Sequence, residues 1–408
     1  MGCAVIDVNG RRYANRTEPV VAICLDGCDP SYLEAAVDVM PELATIRSVG
    51  FSGLVKTVVP SYTNPNNVAI VTGTTSNVNG IPGNYYYDAQ TNQEVMMNDP
   101  VYMRAPTILS AFSAAGRRVA AVTTKDKLRT ILAEGLNGIC FSVECADQAI
   151  EAEHGIGDVV SLVGRENPGI YDPEASVFCL ESGVRLLEYD RADLIYLSTT
   201  DYVQHKFEPG TSEANHFYGR LDRFLGELHR LGAIVGITAD HGMNAKVQAD
   251  GTPNVQYLDD VLRDGGLDDV RVILPITDPY VVHHGSLGSC ATVYVNPTNL
   301  DAAIQLLRET PGIEEVLPRM DAAQKYLLPP DRIGDLFVLG DRETVLGRTR
   351  EVHDLSLVQQ GLRSHGGVHE ATVPMIVNRP LVPEYVDRMA SGQMRNFDLF
   401  DVLCNGVA

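Results

Sequence analysis

Short apolar runs alternate with longer amphipathic stretches along most of the chain. Val20–Leu25, Arg118–Val122, Leu194–Leu197, Ala233–Thr238 and Met375–Val377 are mostly continuous and rich in Val and Ile. Strands buried on both faces have this pattern. Between the runs, Leu33, Ala36, Val37 and Met40 share one helical face, as do Phe217, Leu221, Phe224, Leu225 and Leu228. Gly232 falls where a helix C-cap belongs, and Gly116 does so after a helix over Pro106–Ala115. This alternation predicts an α/β fold with a largely parallel sheet flanked by helices. Residues 250–360 read differently. Val270–Leu274, Tyr280–His283, Ala291–Val295 and Asp335–Leu339 have strand character, mixed with helices near Leu300–Glu309 and Ala322–Tyr326. They predict a smaller α+β cap over 250–360, inserted into a core made of 1–249 and 361–408.

Composition adds exclusions. Of 408 residues, 45% are hydrophobic and 21% charged, as in ordinary globular proteins. No apolar run reaches the roughly 18–20 residues a membrane helix needs. No apolar signal-peptide core follows Met1, and Ile6 stands where a myristoylation signal requires Ser or Thr. The eight cysteines are scattered without a repeated C-x-x-C, so free thiols in a cytoplasmic protein are expected. A net charge of −21 argues against a nucleic-acid partner. A homodimer is expected only because symmetric dimers are common.

In open α/β sheets, ligands bind beyond the carboxyl ends of the strands. After the predicted strands come Asp26 in LDGCD, Asp201 and then His205 in STTDYVQH, Asp240 and His241 in TADHGM, and Lys125 and Lys127 in TTKDKL. Each alone reads equally as a turn or capping residue; agreement among four strands points to a site. Asp201 and His205 share a face if a helix begins there, or are a cap and an unrelated surface histidine. Carboxylate and imidazole together suit zinc. The polar loop from Ser61 runs into a helix, with Thr63 as N-cap and Pro65 in its first turn. The Thr63 hydroxyl is then either a structural cap or a nucleophile favoured by the helix dipole and a metal. No G-x-G-x-x-G follows Val20–Leu25, which excludes a dinucleotide-binding fold.

Taken together, LDGCD, the Thr-Asn-Pro loop ending in TGT, STTDYVQH, TADHGM and SHGG resemble, in order over about residues 20–375, the alkaline phosphatase superfamily. The nearest branch is that of nucleotide pyrophosphatases/phosphodiesterases. The resemblance implies two zinc ions per subunit, with Mn2+ or Fe2+ as substitutes. Asp26, Asp240 and His241 would hold one with Thr63, and Asp201, His205 and His365 the other. His365 rests on the Ser-His-Gly-Gly match, and His369 is its competitor. His283 and His284, in the cap, read as closure or turn residues. The implied chemistry is attack on phosphorus by a zinc-activated Thr63, through a phosphothreonine.

SYTNPNNVAIVTG, IPGNYYYD, TTKDKL and LRSHGG are similar to stretches of the carbon–phosphorus bond hydrolases of that superfamily. They imply a small anionic substrate, phosphonoacetate, cleaved to acetate and phosphate. Thr63, Asn84, Lys125, Lys127 and His205 would touch it. Asn84 would bond a phosphoryl oxygen, although an ordinary turn residue fits as well. The two lysines would meet the carboxylate, although Lys-Asp-Lys also fits a solvated surface. Two divalent cations and two lysines against three aspartates leave such a site positive within an acidic chain. The alternatives are a nucleotide or other small phosphoester hydrolase, with Tyr85-Tyr86-Tyr87 as a base slot, and a non-catalytic, metal-dependent anion-binding protein.

Overall fold

The computed structural model describes residues 5–169, 171–276, 287–358 and 361–408. Seven strands form the central sheet: β1 (Val20–Cys24), β2 (Phe51–Lys56), β3 (Val119–Thr123), β4 (Ile139–Ser142), β5 (Leu194–Ser198), β6 (Ile234–Thr238) and β7 (Thr372–Val377). Their order is β2-β7-β6-β1-β5-β3-β4. From β6 to β4 all neighbours are parallel. β7 runs antiparallel to both β6 and β2. Every residue of β1, β3, β5 and β6 is buried, which is why these strands read as unbroken apolar runs. β2 and β4 gave no such signal. β2 is an edge strand of alternating exposure that contains Gly53, and β4 has four residues.

The helix Ser212–Arg230 buries Phe217, Leu221, Phe224, Leu225 and Leu228. Gly232 and Gly116, just beyond helix ends, take φ of 85° and 87°, which glycine adopts without strain. The predicted face of Leu33, Ala36, Val37 and Met40 needs correction. The helix Pro30–Ala35 gives way to a 3-10 turn, Val37–Val39, before the next helix starts at Pro41. Leu33, Ala36 and Met40 stay buried, but the tighter turn rotates Val37 outward to 52% exposure.

A second sheet is antiparallel throughout, in the order Val270–Ile273, Cys290–Val295, Leu336–Gly340, Ile313–Pro318. Helices Leu300–Arg308 and Arg319–Tyr326 belong to the same region. Its apolar core, with Leu262, Val293, Leu307 and Phe337, is distinct from the one around the central sheet. Ile313–Pro318 escaped the sequence pattern because two glutamates interrupt it. The expected strand Tyr280–His283, with His283 and His284, lies outside the described residues. Among the described residues no helix is long and apolar enough to cross a membrane, and the seven described cysteines are free thiols.

Candidate metal centre

Register brings the polar residues together. Thr238, Cys24, Ser198 and Thr123 lie side by side at the ends of β6, β1, β5 and β3. Two residues beyond three of them come Asp240, Asp26 and Lys125, and three beyond the fourth comes Asp201. Parallel strands in register thus deliver three carboxylates and an ammonium to one edge. Gly27 permits the crowding: it takes φ 68°, and a Cβ there would lie 2.8 Å from Asp201 Cβ. Asp201 stands at the N-cap position of the helix Tyr202–Lys206, which carries His205, without a side-chain capping bond. His365 arrives from the return loop, after Arg363–Ser364 pairs with Asn244–Ala245 beyond the Asp240-His241 turn.

Two ligand groups result. The donor atoms of Asp26, Asp240 and His241 lie within 4.8 Å of one another, as do those of Asp201, His241 and His365. His205 Nε2 is 2.9 Å from Asp201 Oδ2. The His241 and His365 rings stack 3.5 Å apart at 4°. Each imidazole keeps Nδ1 2.9 Å from a backbone carbonyl: His205 on Arg363, His241 on Gly242, His365 on Ser61. A carbonyl only accepts, so Nδ1 carries the proton and Nε2 turns its lone pair to the cluster. Asp26 Oδ1 and His241 Nε2 are buried 3.2 Å apart, and neither has a hydrogen-bond partner beyond this mutual contact. Buried polar atoms without partners are costly, and lone pairs aimed at a common point suit a cation. Nitrogen and oxygen donors without sulfur fit Zn2+, Mn2+ or Fe2+.

Electrostatics agree. Burial, reinforced by the Asp26 charge, pushes the Asp240 carboxyl up to about 8. Burial opposes charge on His241, but Asp240 and Asp26 outweigh it and raise the imidazole to about 10. Burial, with His241 and His205 nearby, holds His365 well below the usual histidine range. At Asp201 the opposite holds: burial is outweighed by Lys125 and His205, and its carboxyl falls well below the usual range. Lys125 Nζ lies 3.1 Å from Asp26 Oδ2 and 3.2 Å from Asp201 Oδ1. The crowded carboxylates thus draw in protons and an ammonium, the same demand a divalent ion meets.

Thr63 is the first residue of the helix Thr63–Thr72, not its cap. Tyr62 holds the cap position and no side chain caps the helix, so the Thr63 hydroxyl is not spent on capping. The preceding residues are fastened to the cluster and to the second sheet. Ser61 accepts from His365, the Tyr62 ring meets the His365 ring edge-on at 5.5 Å, and Tyr62 bonds the Cys290 backbone. Asn84 accepts from the Asn64 backbone N–H at 2.9 Å and donates to the Ile276 carbonyl. It therefore ties the Thr63 helix to the cap, with one amide hydrogen already used. Lys127 is exposed on the first turn of the helix Asp126–Leu132. His369 is exposed too, and its Nε2 lies 2.6 Å from Glu314.

Supporting residues left no sequence signal. Arg363 donates to the Gln204 carbonyl while its own carbonyl receives His205. Glu370, fully buried, takes Lys246 at 2.8 Å, Asn244 at 2.6 Å and the Gly367 N–H at 3.0 Å. It joins the loops that carry His241 and His365. Tyr85 and Tyr86 are buried, Tyr85 bonding Glu94 and Tyr86 meeting Tyr102, while Tyr87 meets Tyr294 at 4.8 Å and lines a surface cavity with it and Arg271.

The chain is similar over its full length to the phosphonoacetate hydrolase of Sinorhizobium meliloti. That enzyme has been solved with phosphonoformate and with phosphonoacetate; identity is 47%, coverage of both chains 100% and the TM-score 0.95. Murine and human ectonucleotide pyrophosphatase/phosphodiesterase 5 share the fold at 16% identity and TM-score 0.63, over 95% of this chain and 94% of theirs. Residues 20–368 match the family model described as type I phosphodiesterase / nucleotide pyrophosphatase. The chain therefore belongs to that family, within the alkaline phosphatase superfamily, and is a hydrolase.

Proposed function

We propose that the protein hydrolyses the carbon–phosphorus bond of phosphonoacetate to acetate and phosphate. The observation that carries this reading is the meeting of two donor groups, Asp26/Asp240/His241 and Asp201/His241/His365, with His205 against Asp201 and a threonine free of capping duty at the head of a helix tied to Asp240 through Asn67. Its support in substrate is the likeness, at 47% identity, to an enzyme solved with phosphonoacetate. Asp26, Asp240 and His241 with Thr63, and Asp201, His205 and His365, would hold two zinc ions. When bound, such ions would supply Lewis acidity to lower the Thr63 pKa and polarise phosphorus.

Thr63 Oγ1 gives up its proton to solvent, which later returns one to the enolate carbon, and forms a bond to phosphorus as the P–C bond breaks. The electron pair passes to the carbon and spreads into the carboxylate as an enolate, which takes a proton to give acetate. Lys125 and Lys127 oppose the growing negative charge there. Water oxygen then bonds phosphorus, the P–Oγ1 bond breaks, and Thr63 regains its proton. Asn84 turns its remaining amide hydrogen to a phosphoryl oxygen. A nucleotide substrate is disfavoured because Tyr85 and Tyr86 are buried and offer no face to a base. The test compares phosphate release from phosphonoacetate with cleavage of an aryl nucleotide ester by zinc-loaded protein. Preference for phosphonoacetate is expected; cleavage of the ester alone would overturn the reading.

A further inference from the structure

Asn67 lies one turn after Thr63, on the same helix, and is fully buried. Its amide nitrogen donates to the Thr63 carbonyl at 3.0 Å and to Asp240 Oδ2 at 3.2 Å. Its amide oxygen accepts from the Tyr196 hydroxyl at 2.7 Å and the Ser198 hydroxyl at 2.9 Å. Two donors and two lone pairs are the whole capacity of an amide, and all four are used. The orientation is also fixed: a flipped amide would aim oxygen at a carbonyl and a carboxylate.

The other oxygen of Asp240 is held as well, by the backbone N–H groups of Gly27 at 3.2 Å and His241 at 3.0 Å. Asn67 therefore sets the rotation of the Asp240 carboxylate and pins the first turn of the Thr63 helix to it. The hydroxyls on β5 hold Asn67 in turn. An aliphatic side chain would fill the same space without this cost in desolvation, so packing alone does not explain a polar residue here.

We propose that Asn67 is a positioning residue that holds Asp240 and the Thr63 turn in one register, so that the Asp26/Asp240/His241 group binds its metal. The proposal rests on the metal-dependent hydrolase reading above. The test titrates zinc into metal-stripped parent and Asn67→Asp protein by calorimetry, with cobalt(II) absorption as a report on ligand geometry. Aspartate is close in size and keeps the two acceptor bonds, and when ionised it sets a like charge against Asp240 in place of the amide donor. One of two sites should weaken about 10–100-fold, the usual effect of losing a residue that orients a ligand. The other should keep its affinity, and the cobalt spectrum of one site alone should change.

Parent affinity at both sites in Asn67→Asp would overturn the proposal and leave the hydrolase reading intact. So would an equal loss at both sites that follows a lower unfolding temperature of the metal-free protein, since that marks a general structural role. A parent that takes up no metal would overturn the hydrolase reading and this proposal together. Should Asn67→Asp fail to fold, Tyr196→Phe decides: a severalfold loss confined to one site supports the proposal, and unchanged affinity at both overturns it.

Discussion

The chemistry is concentrated in a few side chains whose surroundings fix their roles. Thr63 sits one residue inside its helix, with no capping duty. Replacing it with alanine should cut phosphate release from phosphonoacetate by roughly a thousandfold or more, while zinc measured by atomic absorption stays with the six remaining ligands. Full activity in Thr63→Ala would remove the covalent route. Metal binding should also depend on pH in a definite sense. Burial raises the Asp240 carboxyl, and the neighbouring carboxylates raise the His241 imidazole, so this coupled pair retains protons to higher pH than usual and a metal must displace them. Zinc affinity of the metal-free protein should therefore rise as pH rises from 6 toward 9. Each binding event should release protons, measurable by calorimetry in buffers of different ionisation enthalpy. Affinity that stays level over this range would contradict the account.

Elements place these residues, and here the sequence was partly legible. Asp26, Asp201 and Asp240 were visible because each follows an apolar run that could only be a buried strand. That they meet depends on the register of β6, β1, β5 and β3, which pattern does not encode. Asp201 and His205 were readable as a pair from helical spacing. His365 was reached only through the Ser-His-Gly-Gly resemblance, since it is the return of Arg363–Ser364 beside Asn244–Ala245 that brings it in. The carbonyls of Ser61, Gly242 and Arg363, which orient the imidazoles, left no trace in side-chain identity. Gly27→Ala tests the element scale. With φ of 68° and a Cβ 2.8 Å from Asp201 Cβ, it should destabilise the fold by about 1–3 kcal/mol and weaken zinc binding. Urea unfolding with a parent-like midpoint would show the approach to be looser than described. The helix Asp126–Leu132 carries Lys127 on its first turn. Lys127→Ala should raise KM for phosphonoacetate roughly tenfold and leave an aryl phosphate ester nearly unaffected. Equal losses on both would argue against carboxylate recognition.

Across the whole molecule, two separate apolar cores support the two sheets. Lys246 and Glu370 form an ion pair with both side chains fully buried, and Lys246 also reaches the Arg342 carbonyl. Removing one partner strands a buried charge, so Lys246→Met should cost about 3–5 kcal/mol in unfolding free energy. The second sheet was legible as a change of rhythm in the chain, although its strand Ile313–Pro318 was hidden by its glutamates. A chain of net charge −21 that attracts an anion needs concentrated positive charge at one place, and the account assigns that to metal. The most direct test is anomalous diffraction at the zinc edge from zinc-soaked crystals. The account predicts two peaks, one among Asp26, Asp240 and His241 and one among Asp201, His205 and His365. No peak at either group, or zinc bound only elsewhere, would contradict it.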